Sequence, residues 1–149
     1  MLLPALVCLG CASSRPEAAK TPALRPITGS FGWNLGDKLP DKYLLPADGI
    51  FCPKQPAETT APYVGVGVYC LKDRTVYQIE AFALVGIADE ILQGFKDQYG
   101  PPAVVNSALG ADYWWSYGDC RLHVFVDEAE SITVQYINDN LSKRHEAGF

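Results

Sequence analysis

Between residues 63 and 84 apolar side chains take turns with small or polar ones. Val64, Val66, Val68 and Cys70 alternate with Gly65, Gly67 and Tyr69, and Val76 to Leu84 returns after a polar turn at Lys72-Asp73-Arg74. A period of two is that of a strand burying one face, so the segment predicts a β-hairpin. Its glycines mark places where something lies close against the backbone or the strand coils. From Asp89 the period changes: Ile91, Phe95 and Tyr99 recur four apart with Leu92 beside them, which is one apolar stripe on a helix. Asp89 and Glu90 complement the positive end of its dipole. Gly100-Pro101-Pro102 ends it, since glycine takes the capping conformation and proline cannot continue the ladder. Gly94 costs this helix about 1 kcal/mol relative to alanine, which predicts a packing reason for the missing side chain.

Alternation resumes in three runs, Asp112 to Tyr117, Cys120 to Val126 and Ser131 to Ile137, joined at Gly118-Asp119 and at an acidic turn through Glu128-Ala129-Glu130. A two-residue turn at Gly118-Asp119 pairs Tyr117 with Cys120, Trp115 with Leu122 and Tyr113 with Val124, all on the core face. The next hairpin must then set Val126 against Ile132, Val124 against Val134 and Leu122 against Tyr136, because a slip of one residue would put Val126 against a serine. Trp114 and His123 fall on the opposite face with Arg121, Phe125, Thr133 and Gln135 around them. Asp139 to His145 predicts a short final helix. Upstream, Gly29 to Gly36 is too rich in glycine for a helix and predicts a short strand, Pro40 and Pro46 keep the next stretch irregular, and Ile50 to Cys52 reads as another short strand. The sum is an α+β fold: a twisted antiparallel sheet with a C-terminal three-stranded meander and one helix packed on one face.

With 149 residues, 48% of them hydrophobic, the chain makes one domain with a substantial core. A net charge of -5 with scattered basic residues argues against a nucleic-acid surface. No apolar run reaches the roughly 20 residues of a membrane-spanning helix, so any attachment comes from the N-terminus. There Leu2 to Gly10 is almost wholly apolar and stops at Cys11-Ala12-Ser13-Ser14, after which the chain turns polar and proline-rich. That is the pattern of a secretion signal rather than of a packed element. The Gly10-Cys11 junction resembles the cleavage site of bacterial lipoproteins, in which the cysteine becomes the lipidated first residue. Cys8 and Leu9 depart from the usual residues, and no basic residue precedes the apolar run. The resemblance implies a signal peptide over 1–10, a lipidated Cys11 with a flexible linker to residue 28, and a domain over 29–149. Ala12 resembles the outer-membrane class, which implies a periplasm-facing protein held by its lipid.

An oxidising compartment leaves Cys52, Cys70 and Cys120 with one disulfide to form. Cys52 with Cys70, across an antiparallel pair, is the leading expectation; Cys70 with Cys120, both on inward faces, is the rival. No C-x-x-C occurs and neither His123 nor His145 belongs to a ligand pair, so no metal or other cofactor is expected.

Phe31-Gly-Trp-Asn-Leu-Gly36, the helix end Gln98-Tyr99-Gly100 and the closing Val134 to Leu141 resemble a group of small uncharacterised bacterial envelope proteins. That group shows an F-G-x-x-L-G opening, a K-Y-G helix end and a terminal Y-x-D-x-x-L. The resemblance implies a location and a fold, and no chemistry.

Candidate chemistry is sparse. His123 with Asp119 or Asp127 suggests acid-base work, as a periplasmic hydrolase would need, yet no nucleophile stands at a readable spacing and no G-x-S-x-G surrounds Ser107 or Ser116. The Tyr113-Trp-Trp-Ser-Tyr117 run carries more information, because tryptophan and tyrosine anchor interfaces. Tyr113, Trp115 and Tyr117 are expected in the core; Trp114, Arg121, His123 and Phe125 form the candidate binding surface. The leading expectation is a non-enzymatic envelope lipoprotein that contacts an envelope protein or peptidoglycan through this face.

Overall fold

The computed structural model describes residues 22–53, 62–83, 86–129 and 131–149. Cys11, the signal segment, most of the expected linker and Glu130 lie outside them. Alternation produces the strands it predicts. The first hairpin is β4 (Tyr63–Cys70) against β5 (Val76–Ala83), and three short strands precede it: β1 (Gly29–Ser30), β2 (Trp33–Asn34) and β3 (Ile50–Phe51). Helix α1 (Ala88–Tyr99) follows, then β6 (Ala103–Ser107), β7 (Gly110–Tyr117), β8 (Cys120–Asp127) and β9 (Ile132–Asn138), and α2 (Asp139–Glu146) closes the chain. The main sheet has the order β3-β4-β5-β9-β8-β7-β6, with antiparallel pairing throughout.

All six pairings argued for the meander are present: Tyr117 with Cys120, Trp115 with Leu122 and Tyr113 with Val124, and Val126 with Ile132, Val124 with Val134 and Leu122 with Tyr136. The meander is longer than expected by one strand. The sequence pattern does not predict the strand at residues 103–107: Val104 and Val105 are β-branched, but the run is too short to show a period.

The core lies on one side of the sheet. Val66, Val68, Ile79, Ala81, Trp115, Leu122, Val124 and Val134 face it, and α1 covers it with Leu92, Phe95 and Tyr99. The Phe95 and Trp115 rings meet at 5.9 Å. Trp115 is fully buried, and its indole N–H donates to the Gly100 carbonyl at 2.8 Å. The helix end is thereby tied to the sheet, and a polar group that burial would otherwise penalise is satisfied.

Residues 22–28, expected as linker, belong to the domain. Ala23 and Ile27 are buried, the Ala23 N–H donates to Ser116 O and the Leu24 N–H to Tyr99 O. The two apolar side chains fill the end of the core beside α1, a role that the surrounding prolines hide in the sequence. The irregular stretch before β3 is held by Arg74, whose guanidinium donates to the carbonyls of Leu39, Pro40 and Tyr43 at 2.7–3.0 Å. It sets the Tyr43 ring against Trp33 of β2 and Phe51 of β3 at the core edge.

Three further positions differ from expectation. Val64 is exposed because a register shift between Tyr63 and Gly65 turns it out of the alternation. Tyr117 is 46% exposed, because its register position is the last of β7 and the core ends there. Gly94 has open space where a Cβ would stand; it sits on the exposed face of α1 with no neighbour to accommodate. The glycines of β4 do meet neighbours: a Cβ on Gly67 would stand 3.4 Å from the Tyr69 ring and one on Gly65 3.8 Å from the Phe82 ring.

Because Gly94 is helical and unencumbered, Gly94→Ala should stabilise the fold by about 0.5–1 kcal/mol. The check is a urea unfolding curve, whose midpoint rises at unchanged slope.

Candidate functional site

The side of the sheet opposite the core is built by the same alternation, one residue out of step. Register arranges its side chains in rows that cross the strands. One row runs Gly67, Glu80, Gln135, His123, Trp114, Ala103. The next runs Gly65, Phe82, Thr133, Phe125, Asp112, Val105, and a third holds Tyr69, Gln78, Ile137, Arg121 and Ser116. Helix α2 sits at the third row, where the Asp139 carboxylate holds Arg121 at 2.6–2.7 Å and His145 stacks on Tyr77. The Asn138 side chain caps α2 by accepting from the Leu141 N–H.

A continuous chain of hydrogen bonds crosses five strands on this face. The Tyr69 hydroxyl donates to Glu80 Oε1 at 3.0 Å, and burial, reinforced by the Glu80 charge, pushes that phenol up to about 12, so it stays a donor. The Gln135 amide Nε2 donates to Glu80 Oε2. That fixes the amide's orientation, since a carboxylate only accepts. Gln135 Oε1 therefore faces His123 Nδ1 as an acceptor, at 2.9 Å, and Nδ1 carries the proton. His123 Nε2 meets Asp112 Oδ1 at 2.6 Å. Both ring nitrogens thus face oxygen atoms. Trp114 covers the imidazole face to face, with ring centroids 3.8 Å apart at an interplanar angle of 7°, and the Arg121 guanidinium lies 5.1 Å from the indole centroid. The His123 side chain is left 14% exposed and that of Asp112 27%.

Of the four expected surface residues, the structure brings Trp114, His123 and Arg121 into one cluster and sets Phe125 in the row beside it. The cluster is recessed; Trp114 is half-buried because His123 covers one ring face. Neither carboxylate expected beside His123 is there. Asp127 is occupied by the backbone and hydroxyl of Ser131, whose hydrogen bonds hold its carboxyl below the usual range. Asp119 lies in the β7–β8 turn, where its carbonyl accepts from Asp139. The partner is Asp112, directly opposite Phe125 and diagonal to His123 across the β7–β8 pair. Glu80, Tyr69 and Asp112 escaped sequence reasoning. The alternation of β5 points to Glu80 facing outward, but only the β5–β9 pairing shows what it meets.

Among the described residues, no group of three or more His, Cys, Asp or Glu is placed to hold a metal ion, and no helix is long and apolar enough to cross a membrane. A separate open cleft of about 300 Å³ lies between the 45–49 loop and the C-terminal tail, lined by Leu45, Cys70, Lys72, His145 and Phe149 among others.

Neither expected disulfide forms: Cys52, Cys70 and Cys120 are free thiols. The β3–β4 register sets Phe51 against Val68, and it is the Gly49 carbonyl that accepts from the Cys70 N–H, so Cys52 lies three residues along the chain from the one that meets Cys70. Cys120 is in β8, three strands from β4 in the sheet order, roughly 14 Å at the usual strand spacing and beyond the reach of a disulfide. Burial pushes the Cys70 thiol up to about 11.

No family model matches the chain, and no curated protein matches it. Among solved structures the chain is similar to a DUF4309 family protein, YjgB, from Bacillus subtilis. The identity is 21%, 58% of this chain and 70% of that chain are covered, and the TM-score is 0.36. A likeness of that size assigns no role to any residue.

Two measurements follow from the geometry. A double-mutant cycle between His123→Ala and Asp112→Ala should show a coupling of about 0.5–3 kcal/mol in unfolding free energy, as expected for members of one network; additivity would mean that the bond contributes nothing. In the folded chain at pH 8 a thiol reagent should label the exposed Cys52 and leave Cys70 unreacted until denaturant is added, read by peptide mass after digestion.

Proposed function

We propose that this chain is a non-enzymatic protein of the bacterial envelope. A lipid on Cys11 holds it to the outer membrane facing the periplasm, and it binds a protein component of the envelope through the outer face of its sheet. The observation that carries the reading is the state of His123. A general base needs a nitrogen that can take a proton from a substrate, and here Nδ1 is committed to Gln135 and Nε2 to Asp112, under the Trp114 ring. Such an arrangement fixes side chains in place rather than leaving one to react. Immobilised polar groups beside aromatic surface suit recognition, because little side-chain freedom is left to lose on binding. Phe82, 43% exposed in the same row as Phe125, supplies apolar area next to the acceptors of Glu80 and Asp112. The order apolar segment, Gly10-Cys11, then polar and proline-rich chain supports the anchor, and several acyl chains at about 0.8 kcal/mol per buried methylene hold a domain stably.

The test is intact mass and membrane partitioning of the protein from its native host, wild type beside Cys11→Ala. The expected result is a mature chain that starts at Cys11 with acyl mass and partitions with membranes, both lost in the variant. An unprocessed chain that does not partition with membranes would overturn the anchor.

A further inference from the structure

The two edges of the main sheet are unequal. One ends in β3, two residues long. The other ends in β6, five residues, Ala-Val-Val-Asn-Ser, paired with β7 without a bulge. Exposed edges are ordinarily guarded by lysine, proline or a bulge, and β6 has none of these. Among the described residues nothing pairs with its outer side.

Ser116 O accepts from the Ala23 N–H, on the side of β7 that β6 occupies further back. Backbone direction alternates along a strand, so Asp112 and Trp114 bond toward β6 as Ser116 does toward Ala23. Their partners are Val105 and Ala103. Val104 and Asn106 therefore point their N–H and C=O groups to the open side, and the Val104 side chain is 47% exposed.

We propose that β6 is an acceptor edge for an extended segment of a partner protein, which adds as an eighth strand and sets a basic side chain opposite Val105. Charge selects the occupant. From Ala103 to Tyr117 the only charged residue is Asp112, and it shares a row with Val105 on the outer face. A residue opposite Val105 on an added strand lies two strand spacings from Asp112, about 9–10 Å, which a lysine or arginine spans across the short valine. Next to it Gly110 faces Asp127, a second negative group. A second copy of this chain would bring another net charge of -5 and no cation in its own β6. The inference rests on the outer face being the binding face and names what that face binds.

The test uses the full chain and a capped peptide of alternating valine and threonine with one central lysine. Amide exchange of Val104 and Asn106 should slow about tenfold when the peptide is present at about ten times its Kd. The same peptide with a central glutamate should bind several-fold more weakly, and one N-methylated on alternate residues should not bind. Asn106→Pro should abolish binding while keeping the circular dichroism of the fold, since its N–H faces outward and proline is tolerated at such edge positions. Absence of peptide binding overturns the proposal, as does binding that leaves both amides unchanged or survives N-methylation or Asn106→Pro. So does equal binding of the glutamate peptide. Protection of the two amides without peptide also overturns it, in favour of a second copy if the chain sediments as a dimer and of residues 1–21 if it is a monomer. None of these readings depends on Cys11, so failure here is distinct from failure of the anchor.

Discussion

The pairing of β5 with β9 is the constraint on which the rest of the structure depends. It joins the N-terminal hairpin to the C-terminal meander across some fifty intervening residues, through an unbroken register from Gln78 with Ile137 to Ala83 with Ile132. On the core side it sets Ile79, Ala81 and Ala83 against Tyr136, Val134 and Ile132, all buried. Without it there would be two small sheets, each with half an apolar face and an unpaired central edge. Closing so long a loop costs conformational entropy, and the continuous core under α1 is what offsets that cost. The same pairing puts Glu80 beside Gln135 on the other side, so the seam that completes the core also completes the polar chain.

Local pattern made much of the fold legible. The β4–β5 hairpin, α1 with its glycine stop, and the six pairings of the meander all follow from period and turn length, because a one-residue slip would exchange core and solvent. What escaped had no local signal. Ala23 and Ile27 are two apolar residues among prolines; they read as linker until Ser116 and Tyr99 are seen to accept their segment's backbone. Val64 fits the alternation perfectly and still leaves it, because a bulge is decided by the partner strand. On the outer side of the sheet, alternation put Trp114, Arg121, His123 and Phe125 on one face, as the register does. It could not choose the carboxylate. Asp119 and Asp127 are near His123 along the chain, whereas Asp112 is near it only across the sheet.

Polar residues that cross a sheet in a chain stand or fall together. Tyr69, Glu80, Gln135, His123 and Asp112 come from five different strands, and each is oriented by the next. Removing one leaves its neighbours half-buried without a partner, at a cost larger than the net worth of the bond itself. The raised Tyr69 phenol keeps one end of the chain a donor, and the acceptor at the other end, Asp112, lies nearest the open β6 edge. The direction of the chain thus presents negative charge toward the side where the sheet is unfinished.

Core and site are specified by one variable. Along β8, Leu122 and Val124 are buried while Arg121, His123 and Phe125 face outward, and a shift of one residue would exchange the two sets entirely. The apolar set is the larger energetic term, at about 25 cal/mol for each Å² buried, so it dictates register, and the polar set inherits its geometry. Glu80, Gln135, His123 and Trp114 lie in one row because Ile79, Tyr136, Leu122 and Trp115, one step along each strand, are held in the core. Tuning of the outer surface is therefore free in side-chain identity and fixed in position: residues such as Phe82, Phe125 or Val105 can change without moving the row, whereas any change that shifts a strand dismantles the core and the polar chain at once.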